Sequence, residues 1–376
     1  MTNKKKKIAV LVSFSGQGGV ERSFALLVNE MAALGIEVDL LLIKRKSPHL
    51  AALSTAVNQI PLKHQHAATC VGEVADYLRK EAPQALLVAK HRAMLAALKA
   101  RKKAGTNTPI TGVIGINVTQ SLAHRSRFQR WHWGRLMRNE YPKLDGIIAV
   151  SEGVREDLLK TTGMPADRIT SIKNPVTTAD MIEEAQTPVD HPWLSKNFDE
   201  PVLITVGRLT KNKDHQTLLE AFRLINDTTP SRLLILGEGP ERTSLEKIIA
   251  EAGLVDRVQL PGFVETPWAW MAKSSLFVLS SFAEGSGNVL TEAMAVGTPV
   301  VSTDCPSGPS EMLDGGRIAP LVPVGDAEAL AAACIDVLNS GIAASLLDEA
   351  VAPFKAEVAA KHYLAFMNVG VPSSTY

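Results

Sequence analysis

Apolar positions along this 376-residue chain follow two alternating patterns. Short runs that are apolar almost throughout, Ile8 to Val12, Glu37 to Ile43, Ala85 to Ala89, Ile110 to Ile116 and Gly146 to Val150, have the length and character of buried strands. Between them lie longer stretches whose apolar residues recur three or four apart: about Val20 to Leu34, Val71 to Lys80, Arg92 to Lys102, a helix near 122–139, and one more after Ser151. Strand and helix in strict alternation predict a doubly wound parallel sheet. From Asn174 to Phe198 the periodicity fails, and Pro175, Pro188 and Pro192 mark an interdomain linker. Alternation then resumes, with strands predicted at Val202 to Val206, Arg232 to Leu236, Val258 to Leu260, Leu276 to Leu279 and Val300 to Ser302, and a last amphipathic helix from Ala327 to Leu338. The chain is longer than one core usually grows. It reads as an α/β protein of two Rossmann-like doubly wound domains facing a central cleft: residues 1–180, a linker at 181–199, residues 200–354, and a C-terminal helical segment at 355–376.

Composition narrows the class. No run approaches the roughly 20 apolar residues that span a bilayer, and the start, Lys4 to Lys7 before Ile8 to Val12, is cut short by Ser13 and a glycine loop, so it reads as a basic tail before a first strand. Cys70, Cys305 and Cys334 are too few and too scattered for a disulfide framework or a metal site, which suits a reducing, cytoplasmic setting. The net charge of +1 hides an asymmetry: residues 1–180 carry 27 Lys and Arg against 14 Asp and Glu, and residues 181–376 carry 13 against 25. A basic half attracts anionic membrane, lipid diphosphate or nucleic acid.

The stretch Phe282 to Glu292 is the richest in chemistry. It leaves the strand Leu276 to Leu279, passes Gly285 and Gly287, and enters a helix over Asn288 to Val296. Free N–H groups at such a turn attract phosphate, while Glu284 and Glu292 on either side accept hydrogen bonds from hydroxyls. That combination suits a nucleotide sugar; the plain alternative is a helix start with favourable acids and a solvated glutamate. After Val202 to Val206 come Arg208, able to fork onto phosphate, and Lys213, a point charge, both at the carboxyl end of a strand. Further glycine turns follow at Gly237-Glu238-Gly239-Pro240 and at Gly262 to Glu265, where the backbone beside Val264 can meet a base. The first strand runs into Ser13 to Ser23 with Gly16, Gly18 and Gly19. A dinucleotide fingerprint needs a small residue where Glu21 stands, and Glu21 is expected to crowd the contact between helix and strand; Asp39, placed for a ribose, keeps a nicotinamide-type site as a rival reading.

The ordered set Gly18-Gly19-Val20-Glu21, Gly207-Arg208-Leu209 with Lys213, Gly237 to Pro240, and Glu284 with Glu292 across seven residues resembles glycosyltransferase family 4 over nearly the whole chain. The stretch Ser302 to Glu311 further resembles members that build lipid-linked oligosaccharides or surface polysaccharides. The resemblance implies a retaining, metal-independent enzyme of the GT-B fold, without cofactor, using a nucleotide diphosphate sugar, a UDP-sugar by preference. In it Arg208 and Lys213 neutralise the diphosphate, Glu292 holds the ribose, and Glu284 contacts the sugar near the developing oxocarbenium ion. Backbone around Gly287, Asn288 and Val289 assists, Gly237 and Val264 complete the donor site, and Gly18-Gly19 admits the diphosphate from the opposite wall. Where many members have a histidine after the strand corresponding to Ile110 to Ile116, this chain has Asn117, with His124 farther along; both are candidates for that role. The last helix is implied to cross back onto the first domain.

On the acceptor side, Arg125, Arg127, Arg130, Arg135 and Arg138 interleave with Phe128, Trp131, Trp133, Leu136 and Met137. Such a helix sits among anionic headgroups, unless Leu122, Phe128, Trp131 and Met137 face the core and the arginines are merely solvated. The expectation is a transferase peripheral to the inner face of the cytoplasmic membrane, acting on a lipid-linked glycan acceptor, with no nucleic-acid partner. A nucleotide-sugar epimerase or hydrolase of the same fold and a non-catalytic nucleotide-sugar-binding protein are the alternatives.

Overall fold

The computed structural model describes residues 6–16, 18–123 and 125–371. In chain order the elements are β1 (Lys7–Phe14), α1 (Gly19–Ala33), β2 (Glu37–Arg45), β3 (Val57–Pro61), α2 (Val71–Glu81), β4 (Ala85–Ala89), α3 (His91–Ala104), β5 (Ile110–Ile114), α4 (Val118–Ala123), α5 (Arg127–Glu140), β6 (Gly146–Ala149), α6 (Glu152–Thr162) and β7 (Ile169–Ser171). They continue with α7 (Ala179–Glu184), β8 (Val202–Val206), α8 (His215–Thr228), β9 (Arg232–Leu236), α9 (Arg242–Glu251), β10 (Val258–Gly262), α10 (Pro267–Met271), β11 (Leu276–Leu279), α11 (Asn288–Ala295), β12 (Val300–Thr303), α12 (Pro309–Met312), β13 (Leu321–Val322), α13 (Ala327–Ser340), α14 (Ala344–Val351) and α15 (Ala356–Phe366).

Two compact units result, one comprising the residues up to Val176 and from Phe354 onward, the other Thr177–Pro353. The first holds a seven-stranded sheet in the order β3-β2-β1-β4-β5-β6-β7 and the second a six-stranded sheet in the order β10-β9-β8-β11-β12-β13. All pairings are parallel. Parallel strands are covered on both faces, which is why β1 and β4 are apolar and buried from Ile8 to Val12 and from Ala85 to Ala89. Helix α1 turns Phe24, Leu27, Val28 and Met31 inward at helical spacing. Helix α15 packs against α1 and buries Ala359, Ala360, Tyr363 and Leu364.

Three expectations need correction. The segment 181–199 is not a free linker but part of the second unit. Helix α7 packs on α10, Trp268 Nε1 donates to Glu184 Oε2 at 3.1 Å, Lys273 Nζ donates to Thr187 O at 2.7 Å, and the Arg232 guanidinium lies 5.4 Å over the Trp193 ring. Pro192 opens a one-turn 3-10 helix, Pro192–Leu194, and Met181 and Ala185 are buried with Trp268 in a small apolar cluster. The single helix expected near 122–139 is two, because Ser126 caps a new one by accepting from Gln129 N at 3.3 Å. Strands β3, β7 and β13, short or on sheet edges, escaped the apolar pattern altogether.

Candidate active site

The second sheet brings its candidates together at the carboxyl ends of its central strands, as an open parallel sheet does for a ligand. Beyond β8 the chain makes a one-turn 3-10 helix, Lys211–Lys213, and then Asp214, in a left-handed conformation at φ 48, caps α8 by accepting from Thr217 N. This tight path aims Lys213 at the loop after β11. There Lys213 Nζ stands 2.5 Å from Glu284 Oε1, and Ser281 Oγ donates to the same oxygen at 2.7 Å. Backbone ties hold the two loops in register: Phe282 N donates to Asn212 O at 2.9 Å, and Ser280 Oγ to Lys213 O at 2.9 Å. Both known bonds to the Glu284 carboxylate fall on Oε1, so among the described residues Oε2 keeps its lone pairs for hydroxyl donors.

Arg208, on the same loop, is exposed and makes no ion pair among the described residues. The turn after β9 fits against this loop backbone to backbone. Leu209 N donates to Glu238 O at 3.0 Å and Glu241 N to Leu209 O at 3.0 Å, while Gly237, at φ +136, sits where a Cβ would fall 1.9 Å from Gly207 O. Only glycine fits there, and the glycine serves the joining of two loops. Val264 is half-buried beyond β10. Gly287, at φ +72, turns the chain into α11; Asn288 and Val289 at its start are half-buried, and Glu292, one turn on, is 9% exposed.

Burial tunes the neighbours. The Cys305 thiol is pushed up to about 12, chiefly by burial and secondarily by the Glu284 charge, so it stays protonated and inert beside the acid. His215, behind Lys213, is pushed down to about 4 by burial and then by the lysine's charge, and is neutral at pH 7.

In the first unit Gly18 precedes α1, and Glu21 is buried without crowding the sheet, contrary to expectation. Its carboxylate turns back to Lys90, whose Nζ lies 2.8 Å from Glu21 Oε1 and 3.1 Å from Ser13 O. Asp39 lies near the start of β2, away from the carboxyl edge where a ribose would bind, and is committed to Asn58 Nδ2 at 2.7 Å and Tyr77 Oη at 2.6 Å. The geometry removes the dinucleotide reading. Asn117 is half-buried at the start of α4, where its Oδ1 accepts from Gln120 N at 3.1 Å. Asp157 of α6 holds the same turn by accepting from Val118 N at 2.7 Å and from Thr119. His124 lies outside the described residues.

Helix α5 buries only Met137. Phe128 is 71% and Trp131 60% exposed, beside exposed Arg125, Arg127, Arg130 and Arg135, with the Arg135 guanidinium 6.0 Å over the Trp131 ring. Of the apolar residues expected to face either way, Met137 is core, Leu122 packs partly against it, and Phe128 and Trp131 are surface. Trp133 is half-buried, edge-on to His91 with ring centroids 4.6 Å apart. Sequence reasoning missed Lys90 and His91, which follow β4 directly. The only sequence signal for them is their place after an apolar strand, and the helical periodicity that follows starts at Arg92, whereas α3 begins at His91.

Comparison with known proteins places the chain in a family. Residues 17–180 match the family described as Glycosyltransferase Family 4, and residues 200–340 that described as Glycosyl transferases group 1. The chain is similar to the N-acetylgalactosamine-N,N'-diacetylbacillosaminyl-diphospho-undecaprenol 4-alpha-N-acetylgalactosaminyltransferase of Campylobacter jejuni, 34% identical over 49% of this chain and about half of that protein, 48%. It is 28% identical over 85% of its length to the lipopolysaccharide core biosynthesis glycosyltransferase LpsE of Rhizobium meliloti, again over 85% of that protein. The crystal structure of Anabaena Alr3699/HepE in complex with UDP shares its fold with a TM-score of 0.77 at 19% identity, covering 96% of this chain and 99% of that one. With the two patterns falling on the two parallel sheets in turn, the chain belongs to glycosyltransferase family 4 and has the GT-B fold.

Proposed function

We propose that this protein is a retaining glycosyltransferase that moves a hexosyl or N-acetylhexosaminyl group from a UDP-sugar to a lipid-linked glycan acceptor in oligosaccharide, polysaccharide or lipopolysaccharide assembly. The observation that carries this reading is the Lys213–Glu284 pair, built from stretches 71 residues apart at the carboxyl ends of β8 and β11. In breaking the glycosidic bond the leaving diphosphate gains negative charge and the sugar positive charge. Lys213 and Arg208 answer the first and need no metal to do so; Glu284, with Oε2 turned to solvent or sugar, answers the second. Glu292 holds the ribose hydroxyls, and backbone at Val264 and Gly287 lets the nucleotide approach closely, while Gly237 joins the two loops beneath the donor site. Because the leaving phosphate takes the acceptor proton on the face of attack, the protein supplies position and charge and no strong base.

The acceptor is assigned from the relatives, one of which is named for a diphospho-undecaprenol acceptor and one for lipopolysaccharide core synthesis. The UDP moiety is supported by the HepE complex. No single described helix is long and apolar enough to cross a membrane. Attachment to the inner face of the cytoplasmic membrane is assigned to α5, whose exposed Phe128 and Trp131 stand among arginines. Asn117 takes the place facing the sugar. The test is a thermal-shift panel of nucleotides and nucleotide sugars followed by product analysis with a polyprenyl-diphosphate saccharide. Stabilisation by UDP-sugars and an α-linked product from an α-linked donor are expected; no stabilisation by any nucleotide diphosphate, or an inverted product, defeats the reading.

A further inference from the structure

The first sheet reverses its strand order between β1 and β4, from which the strands run outward to β3 on one side and to β7 on the other. The crevice outside the carboxyl ends of two such strands is where open α/β sheets take their ligands. Strands β1 and β4 pair with Leu11 opposite Val88, so their ends open together. The residue that leaves β4 is Lys90. Its backbone stands at φ 71, ψ 136, a region that residues with side chains rarely enter and that persists only where the surroundings hold it.

What holds it is a pair with two unequal sides. The Glu21 side chain is 8% exposed, and Ser15 Oγ lies 3.5 Å from its Oε1; the Lys90 side chain, on the same oxygen at 2.8 Å, is 40% exposed. The acid is the inner partner and the cation the outer one. An ion pair that served stability alone would need neither the strained backbone nor this place in the sheet.

We propose that Lys90 binds a phosphate group of the substrate at the β1/β4 crevice, with Glu21 as the positioning counter-ion that holds the ammonium there. The proposal rests on the transferase reading and extends it. A diphosphate is common to the nucleotide-sugar donor and to a lipid-diphosphate acceptor, and the experiment separates them.

The informative variant is Glu21→Gln/Lys90→Met, which removes both charges and keeps their volume. Replacing both members of an ion pair together by neutral groups of similar size leaves no charge buried without its partner, so its melting temperature is expected close to the parent's. Its affinity for UDP, or for an undecaprenyl-diphosphate N-acetylhexosamine in detergent, is expected to fall about tenfold or more, and whichever falls names the source. Lys90→Arg is expected to keep most of that affinity. Equal binding of both ligands by parent and double variant overturns the proposal and leaves the pair a structural one. Should no UDP-sugar support transfer, inorganic pyrophosphate titrated in an Arg208→Ala background still decides the matter. Binding weakened about tenfold by the added double substitution supports Lys90 without the transferase reading, and unchanged or undetectable binding overturns it.

Discussion

Lys213 and Glu284 form an ion pair at 2.5 Å with side chains only 18% and 12% exposed. Removing one member leaves the other charged and half-dehydrated, and in the proposed reaction takes away a group that answers the charge developing at one end of the scissile bond. Lys213→Met is expected to weaken UDP binding and Glu284→Gln to lower kcat by about 10²–10³ while changing UDP affinity little. Steady-state kinetics with a UDP dissociation constant for each variant checks this; full activity in Glu284→Gln contradicts its role.

Arg208 is exposed on the same loop and free to turn to an anion. Arg208→Ala is expected to weaken UDP about 10–100-fold, the loss of a charge-assisted contact of ~1.5–3 kcal/mol, with an unchanged melting temperature in the absence of ligand. Calorimetric titration reads the first and thermal denaturation the second.

Gly237 is required by geometry, since a Cβ there would meet Gly207 O at 1.9 Å. Gly237→Ala is expected to destabilise the second unit by roughly 2–4 kcal/mol, as overpacking against rigid backbone does. Gly134→Ala in α5, where a Cβ meets nothing within 4 Å, is expected to be neutral or to stabilise by about 0.5–1 kcal/mol. Denaturant midpoints of the two variants should therefore move in opposite directions or only the first should move.

His91 and His215 share a pH signature. Burial holds each at about 4, against 6.5 for the unfolded chain. A depressed folded-state value means that the unfolded chain binds more protons between pH 6.5 and 4, so the stability these groups contribute is complete above pH 6.5 and is lost as pH falls toward 4. For His215, 4% exposed, the loss amounts to about 3 kcal/mol. A His215→Asn variant should show a flatter fall in unfolding free energy across that window; an unchanged slope contradicts the neutral, buried state.

Phe128 and Trp131 place large apolar groups on a basic surface. Vesicles containing anionic lipid should retain the parent, and Phe128→Ser/Trp131→Ser should be retained about tenfold less, with no change in melting temperature. Retention should also weaken with rising salt. Equal sedimentation of parent and variant with vesicles removes α5 from the membrane contact.

The alternation of apolar runs and helical periods settled the two parallel sheets, because a strand covered on both faces must be apolar throughout, and no other architecture buries so many such runs. Spacing likewise pointed to Arg208, Lys213, Glu284 and Glu292, since turns after parallel strands gather at one edge. Burial and backbone geometry decided the rest. Glu21 reads as an intruder until Lys90 reaches it from 69 residues away, and Asp39 reads as a ribose ligand until its place near the start of β2 ties it to Tyr77 and Asn58. The proline-rich stretch at 181–199 looks like a tether until its tryptophan and methionine find partners. Local sequence fixes which segments become strands and helices, because that depends on period and propensity within a few residues. Which charges meet depends on strand order, and strand order is written in no local stretch of the chain.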